Sequence, residues 1–136
     1  MRVHGISWVG VKTDSYRAMR NFLAEVAGLR LDGERGEFAV FGLPDGGKVE
    51  IFGSGADDPP EQFAREKVVA GLLVDDVAAA AAELREAGIE LIGPVEDGGD
   101  GYRWQHFRAP DGKVFELVQN PVALRRFHQP SPEALQ

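Results

Sequence analysis

Two glutamates stand inside otherwise apolar runs, Glu50 in Val49-Glu50-Ile51-Phe52 and Glu116 in Phe115-Glu116-Leu117-Val118. Apolar flanks imply partly buried strands. A pair of carboxyls buried there needs a metal ion, a cationic ligand, or a proton kept on one of the two acids. The plainer alternative is a pair of edge-strand carboxylates facing water. His106 adds a third group. If Pro110-Asp111-Gly112 occupies a tight turn, residues whose numbers sum to about 222 oppose one another, which sets His106 across from Glu116; the equivalent turn in the first half sets Val40 across from Glu50. A one-residue slip would point His106 away. Facing Glu116, the imidazole could hold a defined tautomer, accept a proton or bind a polar ligand. Trp104 shares the face of His106 and offers an aromatic wall or an ordinary core contact.

The elements that must hold these groups occur twice. Phe41 to Ile51 overlies Phe107 to Leu117 at a constant offset of 66, with Phe, Pro, Asp, Gly and Glu coinciding, and Ala27 to Leu31 overlies Ala87 to Leu91 at an offset of 60. Each half opens with an apolar run, Val3 to Val11 and Lys67 to Val74, read as a strand. A helix follows each. The first shows a face of Tyr16, Met19, Phe22, Leu23 and Val26, with Thr13, Asp14 or Ser15 as cap and Gly28 as stop; the second has Asp75 or Asp76 as cap, Val77, Ala81 and Leu84 as its face, and Gly88 as stop. Short strands near Leu29 to Leu31 and Ile89 to Ile92 come next, then hairpins turning at Pro44-Asp45-Gly46 and Pro110-Asp111-Gly112. The expected order is βαβββ twice. This gives one domain over 1–120, with module one at 1–53, a linker at 54–66, module two at 67–119, and a tail at 120–136 holding a short helix near Val122 to Phe127. Gly93 to Gly101, GPVEDGGDG, reads as an acidic loop.

Composition narrows the chemistry. At 136 residues, 43% hydrophobic and 27% charged, the chain is long enough for one compact core without staples, and with no cysteine it excludes disulfides, thiolate metal sites and thiol catalysis. A net charge of -7 opposes nucleic-acid and anionic-membrane partners and favours a neutral or cationic small ligand. No run is long and apolar enough to span a bilayer, and the first residues do not resemble a secretory leader, so a cytoplasmic protein is expected. GSGADDPP and GPVEDGGDG lack what a phosphate loop requires, and HExxH, GxSxG and calcium-loop patterns do not occur. Arg125 and Arg126 form a local basic spot.

The paired βαβββ order, Phe22 before Gly28, Val74-Asp75-Asp76 opening a helix, Ala87-Gly88, and Phe107 to Leu117 together resemble the glyoxalase, bleomycin-resistance and extradiol-dioxygenase group, the vicinal oxygen chelate superfamily. The resemblance covers about residues 3 to 119. It implies an α+β fold in which two modules form a curved, incompletely closed mixed β-barrel with flanking helices around a pocket, commonly in a homodimer. Metal-using members of that group place ligands at positions that correspond here to Trp8, Glu50, Val69 and Glu116. Only the two glutamates could ligate a metal. The resemblance therefore implies first a metal-free, cofactor-free member that sequesters a cationic or aromatic ligand, as the antibiotic-resistance members do. Its ligand-binding residues would be Trp8, Val40, Glu50, Val69, Trp104, His106 and Glu116, with Asp97 and Asp100 nearby. Two alternatives stay open: a lyase, isomerase or dioxygenase using Glu50 and Glu116 with a divalent metal, and metal-independent acid/base catalysis by His106 and Glu116. His4 lies near the chain start and His128 in the tail, so only His106 is placed beside the expected site.

Overall fold

The computed structural model describes residues 1–56 and 66–128. The central part of the predicted linker and residues 129–136 of the predicted tail lie outside the described residues.

Among the described residues eight strands form one sheet: β1 (Gly5–Lys12), β2 (Arg30–Arg35), β3 (Phe38–Gly42), β4 (Lys48–Phe52), β5 (Val68–Leu73), β6 (Glu90–Asp97), β7 (Arg103–Arg108) and β8 (Val114–Gln119). Their spatial order is β2-β3-β4-β1-β5-β8-β7-β6. In each half the first strand pairs parallel with the last, β1 with β4 and β5 with β8, while β1 and β5 join antiparallel at the centre. The sheet is therefore mixed and stays open at β2 and β6, as the family resemblance implies.

Among the described residues three α-helices flank it, α1 (Tyr16–Asn21), α2 (Val77–Glu86) and α3 (Pro121–His128), the first running on into a π-helical turn. Alternation along the strands divides the side chains between helices and cavity. Ala39, Phe41 and Ile51 face the first helix, where Tyr16, Met19 and Leu23 cover them; Phe107 and Leu117 face α2 and pack on Val77, Ala80 and Ala81. Each large apolar side chain buried this way contributes about 1.5–3 kcal/mol. The residues between them, Lys48, Glu50 and Phe52 on β4 and Trp104, His106 and Glu116 on β7 and β8, turn to the concave face.

Several local expectations hold. The Asp76 side chain accepts from the Ala79 N–H, 3.1 Å, and caps α2. Both hairpin turns close where the Pro-Asp-Gly phrases stand, and Gly46 takes φ +89° in the first.

Two others need correction. The first helix does not keep one apolar face, because Phe22–Val26 winds as a π-helical turn and leaves Phe22 and Val26 exposed. A wider turn rotates later residues off the stripe that a 3.6-residue period defines. The acidic segment Gly93 to Gly101 is not all loop: β6 continues to Asp97 after a register shift between Ile92 and Glu96. Pairing with β7 outweighs the low strand preference of Gly93 and Pro94 at this edge. Asn120, just after β8, is buried. Its Oδ1 accepts from the Val122 and Ala123 N–H groups at the start of α3, and its Nδ2 donates to the Gly46 carbonyl at 2.9 Å. One side chain thus caps α3 and ties it to the first module.

Candidate active site

A cavity of about 1040 Å³ occupies the concave face. Glu50 and Glu116 hold equivalent places in it, since Gly10 lies beside Glu50 in the β1–β4 ladder and Gly71 lies beside Glu116 in the β5–β8 ladder. The absence of a side chain at Gly71 makes room at the centre. A Cβ there would sit 3.0 Å from the Trp8 Cβ and 3.4 Å from Glu116 Oε1.

Trp8 Nε1 donates to Glu50 Oε1 at 2.7 Å. Burial pushes the Glu50 carboxyl above its ordinary range, against the opposing effects of the Trp8 bond and the Lys48 charge. Glu116 is 3% exposed and is pushed up well above that range, first by burial and then by the charge of Glu50. His106 faces Glu116 across β7 and β8, with Nε2 3.2 Å from Oε2. Burial lowers its pKa to about 4, so its imidazole is neutral at physiological pH. Both partners are shifted against charge. Burial thus works against an ion pair here, and the two groups titrate as a coupled pair. Trp8 meets the His106 ring edge-on at 6.2 Å. Tyr102 and Trp104 pack together as a wall, with the Lys48 ammonium 4.3 Å above the Tyr102 ring.

The structure brings together Trp8, Glu50, Trp104, His106 and Glu116 at the cavity. Val40 pairs with Glu50 in the β3–β4 ladder but is not among the described lining residues. Val69 also lies outside the lining, in a core cluster with Trp8 and Val114. Asp100 reaches the cavity, whereas Asp97 pairs with Arg103. The lining is of mixed charge: Arg30, Arg35, Lys48 and Arg125 stand with Asp32 and Glu96 around the central acids. Arg30 and Arg35 lie on the poorly buried strand β2, and Arg125 on α3, so no single stretch of sequence announces this basic side.

Glu50, part-buried, and Glu116, fully buried, offer two carboxyls to a divalent cation, whose charge would offset their desolvation and the effect of Glu50 on Glu116. The expectation of a chain without a cofactor is corrected by a second group as well. His4 Nε2 lies 3.0 Å and His128 Nε2 2.8 Å from Asp75 Oδ1, and all three donor atoms fall within 4.8 Å of one another, an arrangement able to hold a metal ion. Separations of 71 and 53 residues along the chain hide this cluster from any local motif.

The family model described as Glyoxalase/Bleomycin resistance protein/Dioxygenase superfamily matches residues 5–117. Among solved structures, a Streptomyces coelicolor methylmalonyl-CoA epimerase in complex with 2-nitronate-propionyl-CoA is 20% identical, with a TM-score of 0.65, covering 88% of this chain and 99% of that one. The Mycobacterium tuberculosis methylmalonyl-CoA epimerase is 18% identical at a TM-score of 0.65, covering 87% and 89%. A glyoxalase/bleomycin resistance protein/dioxygenase superfamily member from Vibrio splendidus is 20% identical at a TM-score of 0.57, covering 82% and 96%. These likenesses establish the fold. No curated protein matches the chain. Among the described residues, no helix is long and apolar enough to cross a membrane.

Proposed function

The chain is a small-molecule-binding member of the glyoxalase/bleomycin resistance protein/dioxygenase superfamily, and on that premise we propose that it is an enzyme of the isomerase or lyase type working with a divalent metal at Glu50 and Glu116. The observation that carries the reading is the pair itself: two carboxyls at equivalent places in the two halves, both desolvated, with the charge of one raising the other, at the centre of one cavity. Such an arrangement costs stability, and a bound cation would offset that cost. Binding to an apolar ligand alone would not need it. The structural relatives include epimerases, which places isomerase chemistry among the reactions this fold hosts.

Glu50 and Glu116 would hold the ion, which would supply Lewis-acid polarisation of a substrate oxygen. The chain's own groups do the rest. The Trp8 N–H fixes Glu50 Oε1 and thereby the direction of the other oxygen. Neutral His106 would take the proton from an acidic C–H of the substrate, the electron pair staying on the substrate, and the Glu116 carboxylate 3.2 Å away would stabilise the imidazolium so formed. Tyr102 and Trp104 exclude water from one side, which strengthens these electrostatic effects. The substrate class is a small compound with a carbonyl or thioester beside an exchangeable C–H.

Metal retention and proton exchange test this together. Tag-free protein loaded with Mn²⁺ and dialysed should retain one more equivalent than the Glu50→Gln, Glu116→Gln double variant. In D₂O it should exchange the C–H of thioester or 2-oxo compounds, an exchange that His106→Gln loses. Equal metal retention by both proteins, or ligand binding with no exchange across such compounds, would refute the proposal.

A further inference from the structure

We propose that His4, Asp75 and His128 form a second divalent transition-metal site, outside the cavity, that clasps the entry to β1, the β5–α2 junction and the end of α3. This goes beyond the proposed reaction and does not depend on it. The three donors are carried by backbone that is held independently of any ion. The His4 N–H donates to the Leu73 carbonyl at 2.9 Å, the Val74 N–H beside Asp75 donates to the Val118 carbonyl at 2.9 Å, and α3 is anchored by buried Ala123 and Leu124 against Leu73 and Val118. The His4 ring is also oriented. Phe127 stacks on it at 4.6 Å with 22° between the planes, and the His4 side chain is only 6% exposed.

The geometry suits a tetrahedral ion. Metal–donor bonds of about 2.0–2.1 Å place tetrahedral donors about 3.3 Å apart; the separations of 3.0 and 2.8 Å from Asp75 Oδ1 fall a few tenths of an ångström short of that, and the two imidazole nitrogens lie within 4.8 Å of each other. Two imidazoles and a carboxylate match Zn²⁺, Co²⁺ or Ni²⁺ better than Mg²⁺ or Ca²⁺, which favour all-oxygen shells. Asp75 and His128 side chains are 48% and 55% exposed, which leaves an approach for the ion and a fourth position for water. The site also has a link to the cavity. α3 ends in His128 and supplies Pro121, Val122 and Arg125 to the cavity wall, so an ion at the clasp would hold that wall in place.

Co²⁺ is the probe, added to tag-free full-length protein freed of metal by chelation. The Glu50→Gln, Glu116→Gln variant should bind it with the visible absorption of a tetrahedral nitrogen and oxygen site. His128→Gln in the same background should lose affinity by roughly tenfold or more. In a second readout, Zn²⁺ should slow tryptic cleavage after Arg125 and Arg126 in the parent and not in His128→Gln. Because His128 is exposed, that variant keeps the test valid even if His4→Gln disturbs folding. Unchanged Co²⁺ affinity in His128→Gln, or no tetrahedral spectrum in the double-glutamine protein, would overturn the clasp. Neither result bears on metal retention at Glu50 and Glu116.

Discussion

Replacing Glu116 with Gln, measured in a chelator so that no ion contributes, isolates the cost of burying that carboxyl. In the folded chain Glu116 holds its proton well above the ordinary range around 4.5, because burial and the Glu50 charge oppose ionisation. The unfolded chain releases that proton first. Between the unfolded and folded pKa values the native state binds the extra proton, so wild-type stability falls with rising pH by about 1.4 kcal/mol per unit from this group. His106 acts in the opposite sense. Its folded pKa is lowered from 6.5 to about 4, so its contribution is complete above 6.5 and falls away as pH drops through that window, by about 3 kcal/mol in all. Wherever the two windows overlap, the slopes offset each other. Glu116→Gln removes the carboxyl slope with little change of volume. The variant should therefore run parallel to wild type below about pH 4.5, gain on it by about 1.4 kcal/mol for every pH unit above that over which folded Glu116 retains its proton, then run parallel again. Urea midpoints at constant m-value, taken at half-unit steps, measure this directly. Parallel curves throughout would mean that Glu116 titrates as an ordinary solvated carboxylate, and the account of the paired acids would fail.

Trp8→Phe removes the 2.7 Å bond to Glu50 together with part of a buried ring; a loss of about 2–4 kcal/mol is expected, with Glu50 pushed further up, as read by urea unfolding and carboxyl NMR titration. Gly71→Ala places a Cβ 3.0 Å from Trp8 Cβ at the sheet centre and should cost about 1–3 kcal/mol and shift the tryptophan emission; unchanged stability and emission would show that Trp8 has room to move. Leu117→Ala opens a void under α2 and should cost about 2–5 kcal/mol in urea unfolding, a size that a surface position could not produce.

The duplicated order of elements was legible because each signal is local: the Pro-Asp-Gly turns, the Asp76 cap and the two-residue alternation around Glu50 and Glu116 depend on neighbours in the chain. Even the facing of His106 and Glu116 follows from one hairpin and its turn. The π-helical turn at Phe22–Val26 was not legible, because an apolar residue at helical spacing looks the same whether or not the helix widens. Nor was the strand in GPVEDGGDG, where pairing with β7 decides against composition.

Residue types and spacing by themselves thus determined two similar halves, a carboxyl in each, and a histidine opposite the second. Tertiary structure alone decided that the two carboxyls share one cavity, where burial raises both and the charge of Glu50 raises Glu116 further, because Coulomb interaction depends on distance and burial that no single hairpin fixes. It alone decided that Arg30, Arg35 and Arg125 reach the same cavity. It also brought His4 and His128 to Asp75, since a chelating cluster needs donors a few ångströms apart in space and sets no condition on their separation in sequence.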